Sequence, residues 1–403
     1  MFVYPVLAAS IARTFADMII FGYVPLYLYT SGEQSIFQLS LVTAVPAMVR
    51  FVSSNFWGTM ADVTGRLKLV LLAGLLGYVG ACLGLLWVST GLEAMLVVSM
   101  AAAFYGGLSP AGKALVSLHP GPLATADRAL AWWLQLESWG WVLGSVAIAV
   151  RQWLGASPRA LLLVAAGVLL GDLMWVAWRV PNVSGLPATD RLGRGLARHV
   201  AELGGEWRRL YANGTLVLLL TVFALANLAG EASFTVFGLY LVGTLGGSEA
   251  LYGTAVALAT GLGLVAYAWL STGGRRFPAG DLILAGAGLY IPMFAAMAGA
   301  RTALAAAVAF VIPLYPLVRA GATWTASALT GAGERGGGMG ALDGVEALAM
   351  TLGAAGAGLV AQAWGFRAVY VGCAALAVVL TLSAWRLRQA LLLRQPSQAA
   401  ARA

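Results

Sequence analysis

GTMADVTGRLK, residues 58–68, gathers Asp62, Arg66 and Lys68 into one short stretch of a chain in which only 10% of residues are charged. Gly58 and Gly65 stand among these charges, and long apolar runs lie on both sides. Those runs settle the class. The 403 residues are 60% hydrophobic, with a mean hydropathy of +0.84, whereas a soluble domain carries about 25% charged residues. Each run approaches the ~20 residues with which a helix crosses ~30 Å of hydrocarbon. A sheet barrel would show alternating segments of about 10 residues instead. The composition specifies an all-α, polytopic membrane protein.

Apolar runs at 3–29, 36–58, 67–89, 92–117, 129–151, 159–179, 214–243, 250–271, 281–299, 303–328, 338–363 and 367–387 predict twelve transmembrane helices. The first run has no basic flank or small-residue cleavage site before it ends, so it reads as a retained helix. The polar interval from Arg179 to Asn213 divides the set into six and six. The expected organisation is a bundle over 1–180, a linker over 181–213, a second bundle over 214–390 and a tail over 391–403. In the linker, Leu192, Leu196, Val200, Leu203, Trp207 and Leu210 recur at helical steps with Arg191, Arg194, Arg198, Arg208 and Arg209 between them. That pattern predicts an amphipathic helix on the membrane surface, tethering the halves.

An even number of spans places both termini on one side. Of the 24 Lys and Arg residues, sixteen fall on the side of the termini and linker, four on the other (Arg151, Arg159, Arg301, Arg367) and four inside spans. The positive-inside rule makes the termini cytoplasmic, in a plasma membrane. The formal charge of +8 is thus a topology signal, and nucleic acid is not an expected partner. Cys82 and Cys373 both lie in apolar runs and read as small buried hydrophobes. The two histidines, His119 and His199, form no metal-ligand cluster, and no metal or cofactor is expected.

The halves echo one another. RTFAD in helix 1 and NLAGE in helix 7 place Arg13/Asp17 and Asn227/Glu231 at i, i+4, and both helices run on through Phe-Gly to Tyr-Leu. PAGK and PLVR put a proline three residues before Lys113 and Arg319. DRA and ERG lead into helices 5 and 11, which then carry Glu137 and Glu346. Such repeats are how many secondary transporters are built.

The opening stretch resembles motif A of the major facilitator superfamily, Gly-x-x-x-Asp-x-x-Gly-Arg in the loop after the second helix. Gly58, Asp62, Gly65 and Arg66 match in type and spacing, and Lys68 fits the basic tail. The resemblance extends over the chain as twelve helices, a six-plus-six split and a basic linker, and implies two pseudo-symmetric six-helix bundles. It also implies a conformational latch. Gly58 lets backbones approach, and Asp62 meets the positive N-terminus of helix 11 at GGGMGALDG, residues 336–344. Arg66 and Lys68 hold the loop and meet anionic headgroups. A loop shaped by topology alone would explain the cations but not Asp62 with its two glycines. GAGERG, residues 331–336, matches a dinucleotide fingerprint by letters only, since it follows a membrane helix and not a strand.

Arg13, Asp17, Arg50, Lys113, Glu137, Asp172, Glu231 and Arg319 fall inside predicted spans. Each costs at least ~2.5–3.5 kcal/mol at mid-bilayer, so each needs a cavity or a partner. The resemblance implies that helices 1, 4, 7 and 10 line a central cavity. Arg13, Lys113, Asn227 and Arg319 fall on them, and with Arg50 these are the polar candidates for the cavity. Tyr27, Phe234 and Tyr315 are the aromatic ones. Glu231, which has no cation near it in sequence, is the first candidate for proton coupling, followed by Asp17 and Glu137. The bland readings stand beside these: Arg13 and Asp17 neutralising each other one turn apart, Lys113 snorkelling to headgroups, Asp172 serving as packing glue.

The function these features imply is a monomeric, proton-coupled secondary transporter of a small, amphipathic organic molecule, working by alternating access among membrane lipids, with export preferred. The family's helix-4 arginine is replaced within AAAFYGG, residues 101–107. The antiporter motif of helix 5 survives only as Gly140 and Gly144 in GWVLGSVAI. Uptake of a sugar or an organic anion, and flipping of a lipid or lysolipid, are the alternatives. A receptor would need a soluble signalling domain that the linker and tails are too short to hold, and no HExxH, GxSxG or Walker sequence supports an enzyme or an ATP-driven pump.

Overall fold

The computed structural model describes residues 3–33, 35–64, 66–118, 126–181, 212–272, 277–330 and 335–400. Hydrocarbon offers backbone N–H and C=O groups no water, so a spanning segment must satisfy them internally. Among the described residues it does so with twelve helical segments: α1 Val3–Thr30, α2 Ile36–Thr64, α3 Leu67–Gly84, α4 Gly91–Leu118, α5 Ala126–Trp153, α6 Pro158–Arg179, α7 Gly214–Thr244, α8 Glu249–Thr272, α9 Ala279–Gly299, α10 Ala303–Leu329, α11 Arg335–Trp364 and α12 Phe366–Ala400. Among the described residues, eleven of them are long and apolar enough to cross a membrane. The helix below that standard is α5, which carries Gln135, Glu137, Arg151 and several tryptophans.

The backbone departs from a regular α-helix at several points. α10 is broken into Ala303–Phe310 and Tyr315–Leu329, where the sequence reading expected one continuous run. Pro313 sits in the gap and Pro316 in the first turn that follows; neither has an N–H to give the preceding turn. α1 widens into a π-helix over Met18–Tyr23, and α7 ends in another over Tyr240–Thr244. Gly365, at φ 81°, makes the one-residue joint between α11 and α12, in a region of backbone space that side chains avoid. α12 also runs well beyond residue 387, the end its apolar run predicted. The predicted linker helix lies outside the described residues.

Two compact units emerge: Met1–Leu196 with Phe237–Gly261, and Ala197–Val236 with Leu262–Ala403. In the first, α4 packs between α2 and α3, while α1 lies against α5 and α6. The α1–α5 contact is close because α5 presents glycines to it. A Cβ at Gly140 would fall 2.5 Å from the Ile11 carbonyl oxygen and also into the Thr14 hydroxyl; one at Gly144 would fall 2.9 Å from the Phe15 oxygen. Small residues four apart allow helix backbones this near one another. In the second unit α9 packs on α10 and α12, and α11 touches both α10 and α12.

Candidate functional site

The tight α1–α5 seam carries a ladder of charge. Arg13 and Asp17 lie one turn apart on the same face of α1. Arg13 donates through Nη1 to Asp17 Oδ2 at 3.0 Å and through Nη2 to Glu137 Oε1 on α5 at 2.5 Å. Trp133, one turn before Glu137, donates its indole N–H to that same Oε1 at 2.8 Å. Asp17 uses its other oxygen, Oδ1, to accept from the Tyr78 hydroxyl at 2.8 Å, and Arg50 of α2 approaches that atom at 3.7 Å. The Arg50 guanidinium also lies over the Phe21 ring, 4.9 Å from its centre. Arg13 and Asp17 are 3% and 2% exposed, Glu137 and Arg50 20% and 25%. Four predicted site residues thus meet in one cluster of zero formal charge. Tyr78, which sequence reasoning missed, is its neutral fifth member.

Farther along α1, still within the first unit, a second polar seam joins α1 and α5 to the start of α8. Glu249 accepts from Arg151 and, at 2.8 Å, from the Tyr23 hydroxyl. Gln152 accepts the Ala250 N–H, and the Tyr252 hydroxyl donates to the Gly22 carbonyl at 2.9 Å in a buried bond. Gly253 packs so closely that a Cβ there would lie 2.5 Å from the Ser145 carbonyl oxygen. Tyr27, a predicted cavity residue, stacks on Tyr23 with ring centres 6.5 Å apart.

In the second unit Arg319 pairs with Glu346, and the Tyr315 hydroxyl donates to the same carboxylate at 2.9 Å. The break in α10 sets this up, placing Tyr315 at the start of the new segment and Arg319 one turn on. Glu346 was missed as a site residue, although the repeat register equates it with Glu137. Asn227 is buried, and its amide donates to Phe223 O, 2.8 Å away and one turn back on its own helix. Glu231 and Phe234 are half-buried on α7, and Gly353 of α11 packs against the Leu228 carbonyl and the Glu231 Cβ.

The remaining candidates scatter. Lys113 is half-buried on α4, beside Gly112, whose Cα abuts the Trp133 ring. Asp172 lies on the buried face of α6, with no hydrogen-bond partner for either oxygen among the described residues. Of the motif A residues, Gly65, the surroundings of Gly58 and the side chain of Asp62 lie outside the described part of the structure. Arg66 caps the start of α3 with its backbone. Lys68 donates to the Ala177 carbonyl at 2.8 Å. That carbonyl is in the last turn of α6, where the helix dipole favours a cation. Among the described residues no cluster of His, Cys, Asp and Glu could hold a metal ion.

The family model described as Major Facilitator Superfamily matches residues 6–330. The chain belongs to the major facilitator superfamily. This member is a multi-pass membrane protein and a transporter by family. Its fold is similar to that of a bacterial homologue of the human lysosomal transporter Spinster in an inward-facing, occupied conformation (TM-score 0.74, 14% identity, 96% of each chain covered). It is also similar to a peptide transporter POT crystallised with alafosfalin (TM-score 0.73, 14% identity, 96% of this chain and 95% of that one). No curated protein sequence matches the chain.

Proposed function

We propose that this superfamily member is a secondary active transporter that moves a small organic molecule by proton-coupled alternating access, with export in exchange for protons as its direction. The observation that carries the reading is the Glu137–Arg13–Asp17–Arg50 ladder. Its two buried members leave no room for an uncompensated charge, so a change at one rung must be answered at the next. A proton on Glu137 weakens its hold on Arg13 and leaves Asp17 alone between two guanidinium groups. That redistribution alters which packing of α5 on α1 is stable, the requirement for a bound proton to shift a conformational equilibrium. The Arg151–Glu249–Tyr23 seam supplies an element that one access state closes and the other opens. Motif A is proposed as a further conformational latch. Glu231 is a second proposed proton site.

The distribution of Lys and Arg supports cytoplasmic termini in a plasma membrane. The repeat register supports bundles over 1–180 and 214–390, and the chain is proposed to work as a monomer.

A thermal-shift screen of the purified protein against metabolites and lipids identifies cargo, because a ligand that binds only the folded state raises its melting temperature. In proteoliposomes that cargo should drive proton movement. Glu137→Gln should abolish uphill transport and spare exchange of labelled for unlabelled cargo, and Glu231→Gln tests the second site in the same assay. Uphill transport at the wild-type rate in Glu137→Gln would remove that residue from the mechanism.

A further inference from the structure

α6 packs on α1 and α3, and its buried face includes Leu162, Ala165, Leu169, Asp172 and Val176. Steps of three and four residues keep these on one stripe of the helix. All are apolar except the aspartate. Asp172 is 6% exposed, and neither of its carboxylate oxygens has a hydrogen-bond partner among the described residues. No charge among the described residues acts on it from the helices around it. On α1, Arg13 and Asp17 belong to the ladder and Tyr23 serves Glu249. On α3, Lys68 is at the Ala177 carbonyl and Tyr78 at Asp17, while Cys82 is a buried thiol. On α5, Glu137 meets Arg13 and Arg151 meets Glu249. Within α6, Arg179 lies about two turns on, over the Trp178 ring.

Both carboxylates of the ladder have a guanidinium beside them; Asp172 has none among the described residues. An ionised carboxylate without a partner is too costly to keep in an apolar seam, and the group avoids that cost by taking up a proton. We propose that Asp172 is a proton-binding site separate from the ladder, and that its bound proton locks α6 against α1 and α3. Without the proton the carboxylate needs water, which reaches it only when α6 draws away from its neighbours. The lock holds at low pH and weakens as pH rises. The packed chain binds one proton more than the unfolded chain, in which an aspartate is ionised above about pH 4, and stability falls with pH wherever the folded state holds the extra proton. Each pH unit over which a full proton of difference persists weakens folding about tenfold. The site does not rest on the transport reading, since a chain that moved no protons would still hold this one.

Infrared spectroscopy of the purified full-length chain in detergent reads the proton directly, because a protonated carboxyl has a carbonyl stretch that an ionised one lacks. Aspartate isotope-labelled at its side-chain carboxyl moves that band away from those of the glutamates. Labelled wild type at about pH 6, where an unperturbed aspartate is ionised, should show the protonated band. Asp172→Asn should remove that band wholly or in part, and Asp172→Ser gives the same readout should the first variant fail to fold. No protonated-aspartate band in the wild type overturns the proposal, and so does a band of unchanged intensity in the variant. The lock is read as melting temperature against pH. Between about pH 5 and pH 8 the wild type should lose melting temperature relative to Asp172→Asn, because only the wild type has this proton to give up. A constant difference across that range overturns the lock even where the infrared band is present.

Discussion

Arg13 serves two carboxylates at once, so removing it strands both. Arg13→Ala should cost about 3–5 kcal/mol, as expected when one partner of a buried pair is lost, measured as denaturant or thermal unfolding in detergent. Arg13→Lys should fold better and still transport poorly, since an ammonium is a point donor and cannot reach two carboxylates as a planar fork does. Transport at the wild-type rate in Arg13→Lys would show that the fork is dispensable. How legible these residues were depends on their separation in the chain. The Arg13–Asp17 pair could be read from its spacing, because i, i+4 on a helix fixes a common face. Glu137 stands 124 residues from Arg13 and Tyr78 61 from Asp17, and only helix packing brings them together. Glu346 was within reach of the sequence, because the repeat register aligns it with Glu137, but its pairing with Arg319 depends on how α10 meets α11.

Among the helices, α5 shows why a hydropathy reading misleads at a functional element. It lacks the apolar window its neighbours have because it carries the ladder and the seam, yet it lies against α1 along a glycine face. Gly140 and Gly144 survive from the family's antiporter motif without its proline, and the structure gives their role as close packing. Gly140→Ala should force α5 away from the Ile11 carbonyl. We expect about 1–3 kcal/mol of destabilisation from overpacking and a larger proportional loss of transport, because the move also lengthens the Arg13–Glu137 contact. Melting temperature and initial transport rate measured together check this; equal losses would make the glycine a packing residue only. The break in α10 was not legible from its apolar run, although Pro313 and Pro316 are its cause. α6 gains a cation at its last turn from Lys68, a contact that belongs to the fold and that a loop motif cannot announce.

At the scale of the molecule, the seam of Arg151, Glu249, Tyr23 and Gln152 ties the start of α8 to α1 and α5. Glu249→Gln weakens it by turning a charge-assisted contact into a neutral one. In a background lacking Cys82 and Cys373, a cysteine placed at Thr244 should react faster with a water-soluble maleimide in the Glu249→Gln variant than with Glu249 intact. Equal rates would show that the seam does not govern access. The helical membrane plan was readable beforehand, since it is a property of periodicity and composition. Which face of each helix meets which neighbour was not, because that depends on side-chain shape across long separations.

A π-turn holds one residue more than the α-turn it replaces, so α1 stores a spare residue immediately beyond Asp17. Expelling that surplus would screw the distal part of the rod through about 100° and shift it by about 1.5 Å. Tyr23 and Tyr27 would swing out of register with Glu249 while Arg13 and Asp17 kept their places. The Tyr252 hydroxyl, clasping the Gly22 carbonyl inside the widened coil, is positioned as the pin that holds this torsion in store.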